Sequence, residues 1–520
     1  MPRKLRKGQA VYSRTDYLIK KISDLKKNFI CDKNELYFLK NFRTQKNITK
    51  KNITVIQMQA SHYHLAHFSQ IIKNEKFSES EFIGLWTNIV FYKKGRFAFL
   101  KFCYEYLNDH LLKRKWVKLY RKIGIDLHYN LNSNLVSNLF PMKNRFVQRA
   151  LKNLTSEKIN KIKYKNKIVG CNIYDTFLRY YNKVSFNQSD KSNISNIKVI
   201  LSHTVFSFDN LEKFYQKYKK NIKYYITSDH TYIQNGIPLN FFNKKKIKII
   251  GGSKTNSYIM HYNKISNGMN FENYFKIFKT LNNKNKKINE AKKFIYNSNS
   301  KLLSKKLDRS INKKFRKFKL DVLIFLPDFV DSAHGKGWIL FNDSAEWIKK
   351  TLDFLIGKNI KIGIKPHPMS RHGSILFETE IKNKYKDKII WLEKEKNNLN
   401  LFKQNILFGL SPSGSVTYGM ALNNKIVINC GRNPYMSFKY AFTPRTKKEY
   451  FKLLELGLQK KLNMTKNYKY KVFASIYMFF LHNFDVFENI SRKIKLYEHW
   501  NFQNESKILK YVTIKNNDGN

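Results

Sequence analysis

Short runs of apolar, often β-branched residues alternate along most of the chain with longer stretches in which apolar residues recur every three or four positions. The runs predict buried strands, and the longer spacing predicts amphipathic helices. The predicted strands are 53–58, 82–86, 167–170, 197–201, 224–226, 247–250, 321–326, 360–364, 389–391, 405–410 and 426–429. The clearest predicted helices are 99–120, 345–355 and 416–422. Because alternating strands and helices build parallel sheets through right-handed crossovers, the pattern predicts an α/β protein.

The length of 520 residues is too great for one hydrophobic core, so two Rossmann-like domains are predicted. Two strongly basic and weakly periodic stretches mark the predicted boundaries. The predicted segments are a basic extension at 1–50, a first domain at 51–275, a basic linker at 276–319, a second domain at 320–445 and C-terminal helices at 446–520.

The charge is strongly positive, since 99 Lys and Arg residues against 37 Asp and Glu residues give a net charge of +62. This excess is either a by-product of an AT-rich genome, because asparagine and isoleucine are also abundant, or a means of binding an anionic partner. The chain has no zinc-finger, RNP or helix-turn-helix motif, and its lysines are dispersed. We therefore expect no nucleic-acid partner and favour an anionic membrane face.

The expected location is the cytoplasm, with peripheral attachment to the inner membrane. No apolar run approaches the roughly 18 residues that span a bilayer, and the basic N-terminus has no apolar core behind it. The cysteines are far apart and without C-x-x-C spacing, which predicts reduced, buried thiols: Cys31, Cys103, Cys171 and Cys430.

Two turns that follow predicted strands of the second domain suggest a phosphate site. The first is the Lys-Pro-His-Pro sequence at 365–368, and the second is the Ser-Gly-Ser sequence at 413–415. The carboxyl edge of a doubly wound sheet is where phosphorylated nucleotides bind. The predicted donor-binding residues are Lys365, His367, Ser413, Gly414 and Ser415.

Each of these turns also has a structural interpretation. His367 lies between two prolines that fix its backbone, so its imidazole can be aimed at a phosphate oxygen, but it could equally bond only to backbone at a strand end. Ser413 and Ser415 could bind phosphate or simply cap the helix that follows.

Transfer from a nucleotide-linked donor also needs a group that removes the proton of the acceptor hydroxyl. Asp331 and His334 follow a strand of the second domain and are one pair of candidates. His62 and His64 follow the first strand of the first domain and are the other. The chain has no D-x-D triplet for a metal-bound diphosphate, so we expect no metal and no cofactor beyond the donor substrate.

Several motifs, read together, resemble bacterial surface and capsular polysaccharide biosynthesis glycosyltransferases. They are the two turns above, 329–334, 340–347, 449–450 and, in the first domain, Gly170 with 174–179 and 200–205. This family is related in fold to capsule Kdo transferases, bacterial polysialyltransferases and teichoic-acid glycerophosphotransferases. Asp175 and Arg179, within one of these motifs, are predicted to form an intrahelical ion pair.

The resemblance implies the GT-B fold, in which two Rossmann-like domains face each other across a cleft. It also implies a glycosyltransferase with His367, Asp331, His334 and His64 as candidate catalytic residues. The expected partners are a nucleotide-sugar donor and a growing glycan or glycolipid acceptor. Two alternatives remain: a glycerophosphotransferase-type polymerase on the same fold, and a basic nucleic-acid-binding protein.

Overall fold

The computed structural model describes most of the chain. The described residues are 29–43, 52–73, 77–91, 98–131, 144–227, 229–252, 259–261, 271–296, 320–393, 398–482 and 505–517. No helix in these ranges is both long and apolar enough to cross a bilayer.

The elements alternate between strands and helices along the chain. The strands are β1 Asn52–Met58, β2 Ser80–Trp86, β3 Leu127–Asn130, β4 Lys163–Tyr164, β5 Lys167–Ile168, β6 Ile222–Thr227, β7 Lys248–Gly252, β8 Ile259–His261, β9 Val322–Phe325, β10 Ile362–Lys365, β11 Ile389–Trp391, β12 Phe408–Ser411 and β13 Ile426–Asn429. The helices are α1 Lys33–Asn41, α2 His62–Ile71, α3 Ala98–Arg121, α4 Arg145–Leu151, α5 Ser156–Asn160, α6 Gly170–Tyr181, α7 Lys191–Tyr218, α8 Tyr232–Lys244, α9 Tyr274–Thr280, α10 Lys284–Tyr296, α11 Ser344–Ile356, α12 His372–Lys384, α13 Asn398–Phe402, α14 Val416–Leu422, α15 Lys447–Leu458, α16 Tyr468–Ile476 and α17 Lys507–Asn517.

The first of two compact units comprises Met1–Ser133, Tyr218–Ile226 and Asn489–Asn520. Its strands pair in parallel in the order β3, β2, β1, β6. The C-terminal helix α17 returns to this unit, where the Asn34 amide donates a hydrogen bond of 3.0 Å to Ser506 Oγ. Part of the predicted N-terminal extension is therefore an ordered helix, α1, held by α17.

The second unit comprises Asn134–Lys217 and Thr227–Glu488. Its strands β11, β10, β9, β12 and β13 form a sheet in that order, and all pair in parallel. The central strand β9 is buried along its whole length, as expected for a strand covered on both faces. The two parallel sheets with their helices confirm the predicted class, α/β with two Rossmann-like sheets.

Two predicted segments differ from the structure. Residues 197–201 were predicted as a strand, but they lie inside α7, a helix of 28 residues. The β-branched run was misleading because apolar residues also recur at helical spacing on both sides of it. Within the predicted linker, Phe278, Ile288 and Ile295 of α9 and α10 are buried in the core of the second unit.

Candidate functional site

The candidate site lies at the carboxyl edge of the sheet in the second unit. Strands β9, β10 and β12 are parallel, so the loops that follow them leave the sheet at the same edge. The Leu326 N–H donates a hydrogen bond of 2.9 Å to the Lys365 carbonyl, which joins the first two loops. The turns and the 328–337 loop predicted from the sequence therefore come together.

A histidine and a buried aspartate form the most distinctive pair at this edge. His334 Nδ1 lies 2.8 Å from Asp175 Oδ1, and the backbone N–H of His334 donates to both oxygens of the same carboxylate, at 3.2 and 3.3 Å. Both side chains are buried. A carboxylate only accepts hydrogen bonds, so Nδ1 carries a hydrogen, and in the neutral ring Nε2 is left with its lone pair. In the described ranges, Nε2 has no hydrogen-bond partner.

The approach of Asp175 to His334 follows from where helix α6 begins. A Cβ on Gly170, the first residue of α6, would lie 2.0 Å from the Ile159 carbonyl oxygen. Only glycine lets the start of α6 pack so closely against α5, and this packing places the next turns of α6 beside the 331–337 loop.

The predicted ion pair between Asp175 and Arg179 is wrong. Arg179 Nη1 instead lies 3.8 Å from Asp331 Oδ1, and Arg371 Nη1 lies 3.6 Å from Asp331 Oδ2. The Tyr232 hydroxyl donates to the same carboxylate at 2.6 Å. Burial and the adjacent carboxylate raise the pKa of Tyr232, so it stays a donor. Asp331 thus holds three side chains together, an arrangement that suits a structural carboxylate better than a base.

Arg371 connects the β9 loop to the β10 loop. Its guanidinium forms an ion pair with Asp328, whose carboxylate also accepts a hydrogen bond from Ser374 Oγ. Burial raises the pKa of Asp328. The Val330 N–H donates to Ser374 Oγ at 3.2 Å. These contacts fix the position of the loop that carries His334 relative to the loop that carries His367.

His367 is half-buried at the end of β10. Its Nδ1 accepts a hydrogen bond of 3.2 Å from the Met369 N–H, so in the neutral ring Nε2 carries the hydrogen and can donate it. Ser370 Oγ donates to the His367 carbonyl at 3.0 Å and fixes the turn further. Lys365, the last residue of β10, is in contrast buried.

The Ser-Gly-Ser turn connects β12 to α14. Ser415 is the N-cap residue of α14, yet its side chain makes no capping hydrogen bond. The Gly414 N–H donates instead to Ser411 Oγ, at 3.1 Å. The hydroxyls of Ser413 and Ser415 have no hydrogen-bond partner in the part of the chain described, so N-capping does not account for them.

Lys336 is a polar residue of this edge that sequence reasoning missed. Its ammonium donates a hydrogen bond of 2.5 Å to the Ser413 carbonyl, and its own carbonyl accepts one of 3.0 Å from Arg432 Nη1. Gly337 has φ +116°, and a Cβ there would lie 2.8 Å from Arg432 Cδ. Burial lowers the pKa of Lys336 to about 8. The Gly-Lys-Gly sequence at 335–337 was the available signal.

The first unit contains a separate histidine and carboxylate cluster. His62 Nε2 lies 2.6 Å from Glu35 Oε1, and Lys115 Nζ lies 2.7 Å from the same oxygen. Asp32, Glu35 and His62 are the one group of potential metal ligands found in the described ranges, but Lys115 already neutralises Glu35. His64, the histidine of α2 named as a catalytic candidate, is buried in this unit.

The comparisons with known proteins do not establish an activity for this chain. No family model and no curated protein sequence matches the chain. Among solved structures, a β-Kdo 2,4-transferase, KpsC, from Thermosulfurimonas dismutans has 10% identity and a TM-score of 0.29 over 49% of this chain and 79% of its own. A glycosyltransferase from Rickettsia africae has 13% identity and a TM-score of 0.28 over 86% and 98%. A UDP-GlcNAc 2-epimerase from Methanocaldococcus jannaschii, in complex with UDP-GlcNAc and UDP, has 11% identity and a TM-score of 0.25 over 81% and 96%. Scores this low establish no shared activity.

Proposed function

We propose that the chain is a metal-independent glycosyltransferase that moves a sugar from a nucleotide-sugar donor to a growing bacterial surface glycan. The observation that supports this most is the His334–Asp175 pair, which lies on the same sheet edge as the His367 and Ser413–Ser415 turns. This edge therefore combines a group able to accept a proton with groups able to hold a phosphate, as glycosyl transfer from a nucleotide donor requires.

The proposed chemistry assigns one task to each group. The acceptor hydroxyl attacks the anomeric carbon, the bond from that carbon to the phosphate oxygen breaks, and His334 Nε2 takes the hydroxyl proton. Asp175 keeps the hydrogen on Nδ1 and stabilises the imidazolium that forms. Hydrogen bonds from His367 Nε2 and from the hydroxyls of Ser413 and Ser415 stabilise the departing phosphate.

Lys336 would add its positive charge at the Ser413 turn. A phosphate that binds there would also stabilise the ammonium form of Lys336, because an anion close to an amine favours its protonation. The donor would then bind together with a proton at a pH near or above 8, where part of the free lysine is neutral.

The proposal places the enzyme in the cytoplasm, where nucleotide-activated sugars are available. All four cysteines are free thiols, which agrees with a reducing compartment. They are not all buried, however, because Cys103 is exposed on α3.

A thermal-shift screen with CMP, UDP, GDP and CDP-glycerol tests the donor site. A nucleotide at 100 times its dissociation constant should stabilise the fold by about 2.7 kcal/mol. A response to CDP-glycerol alone would favour glycerophosphate transfer, and no response to any nucleotide would contradict the proposal.

The site of the response is tested with the double variant Ser413→Ala, Ser415→Ala. We expect this variant to lose most of the shift, while the control Ser189→Ala, an exposed serine on another loop, keeps it. Equal shifts in both variants would remove the Ser-Gly-Ser turn from the site.

A further inference from the structure

Helix α3 of the first unit exposes a face of unusual composition. Phe99 and Lys101 are exposed in the first turn, and the other exposed positions follow helical spacing: Leu100, Cys103, Leu107, His110, Arg114, Lys118 and Arg121. The first half of this face is apolar, and the second half is basic. Over the 24 residues of the helix the face runs for about 36 Å.

The apolar half is exposed although the helix already has a core-facing side. Phe102, Trp116 and Leu119 are buried on that side and anchor α3 to its unit. Leu100 and Leu107 are nevertheless 64% and 51% exposed, and Phe99 beside them is also exposed. A surface helix normally has polar residues opposite its buried stripe, so a row of exposed leucines indicates a surface that binds something.

A second exposed apolar segment adjoins a residue close to the basic half of α3. Phe29 and Ile30 are exposed just before α1. The neighbouring Cys31 lies within electrostatic reach of Lys115 and Lys118 on α3. Exposed apolar side chains therefore precede a residue that lies close to the basic half of the helix.

We propose that this face of α3, together with Phe29 and Ile30, binds the surface of an anionic phospholipid bilayer. The apolar side chains would enter the boundary between headgroups and acyl chains, and Arg114, Lys118 and Arg121 would pair with lipid phosphates. This arrangement lies outside the proposed donor site and does not depend on it.

Charge and apolar exposure together select this partner over two others. A second copy of the chain offers this face no acidic partner for its basic half, and it would bring together two chains that each carry a net charge of +62. A nucleic acid would match the charge, but it offers nothing to solvate two exposed leucines, because recognition of its backbone relies on Lys and Arg. An anionic bilayer offers acyl chains to the apolar half of the face and phosphates to the basic half.

Vesicle sedimentation with the full chain tests the proposal. At low salt the protein should sediment with vesicles that contain phosphatidylglycerol and should stay in solution with vesicles of phosphatidylcholine alone. Bound protein should be released as salt passes about 0.15 M, where the Debye length is about 8 Å. Equal sedimentation with both vesicles, or none with either, would overturn the proposal.

Substitutions on the exposed face of α3 test whether this face is the one that binds vesicles. Leu100→Asn with Leu107→Asn should weaken vesicle binding at least tenfold, since both side chains lose their apolar contact with lipid. The control Ile168→Asn with Leu376→Asn changes two exposed apolar residues of the other unit and should bind as the wild type does. Circular dichroism and thermal unfolding check that each variant is folded.

A second set of variants tests the basic half separately. Each of Arg114→Gln, Lys118→Gln and Arg121→Gln should weaken binding about fivefold. If light scattering instead showed a dimer that the leucine variant dissociates, or if RNA bound and vesicles did not, the bilayer assignment would be wrong.

Discussion

Asp175→Asn is the substitution that most sharply tests the role of His334. The wild-type carboxylate accepts a hydrogen bond of 2.8 Å from Nδ1, which leaves Nε2 as the proton acceptor. An asparagine amide can turn its NH₂ group toward Nδ1. The ring would then carry its hydrogen on Nε2, where it cannot take a proton from the acceptor.

The expected loss follows from the bonds involved. Loss of the hydrogen bond between Nδ1 and the charged carboxylate raises the barrier by about 1.5–3 kcal/mol. The new hydrogen bond from the asparagine amide stabilises the inactive tautomer and raises the barrier by about 1 kcal/mol more. Together these correspond to a turnover roughly 10²–10³-fold lower. Donor affinity should change less than about threefold, because Asp175 is buried and its carboxylate bonds to His334 rather than to a residue of the phosphate turns.

The assay is steady-state release of the nucleotide in the presence of acceptor, with donor affinity measured separately by calorimetry. Asp331→Asn serves as the matched control. It makes the same substitution in an acid of the loop that carries His334, and should lower turnover less than about tenfold. A folded Asp175→Asn enzyme with more than a third of wild-type turnover, or a larger loss in Asp331→Asn, would refute the reasoning.

Three further substitutions have defined outcomes. His367→Ala should lower turnover about 100-fold or more without unfolding the chain, and near-normal turnover would remove His367 from the site. Lys336 has a pKa of about 8, so its charge is present below that pH and lost above it. Donor affinity should therefore fall by up to about tenfold per unit above pH 8, and calorimetry of Lys336→Met should show a weaker affinity that no longer depends on pH there. Burial lowers the pKa of His67 to about 4, whereas the unfolded chain binds that proton near 6.5, so stability falls as the pH falls from about 6.5 to 4. His67→Leu should raise the melting temperature and weaken that dependence; an unchanged pH profile would contradict the burial of this ring.

The strands were predictable because buried parallel strands are short apolar runs, and β9, β10 and β13 have that form. The run at 197–201 failed because a β-branched sequence does not by itself exclude a helix. Its apolar residues belong to a longer helical repeat, and tertiary burial on both sides of α7 outweighs the local preference.

The site was only partly predictable. The edge that carries His334, His367 and the Ser-Gly-Ser turn follows from the parallel strands that precede them. The pairing of Asp175 with His334 joins residues 159 positions apart, and no local pattern signals it. The four-residue spacing of Asp175 and Arg179 pointed to a different pair, because helical spacing identifies neighbours on one helix and not partners on another segment.

Hydrogen exchange with and without a bound nucleotide tests most directly whether the carboxyl edge of the second unit is the donor site. Amides that a ligand covers or rigidifies exchange more slowly, so their peptides report where it binds. The nucleotide that gives the largest thermal shift should slow exchange in peptides that contain 331–337, 366–371 and 411–417, and leave 62–71 unchanged. Slower exchange confined to the first unit, with these three segments unaffected, would contradict the assignment.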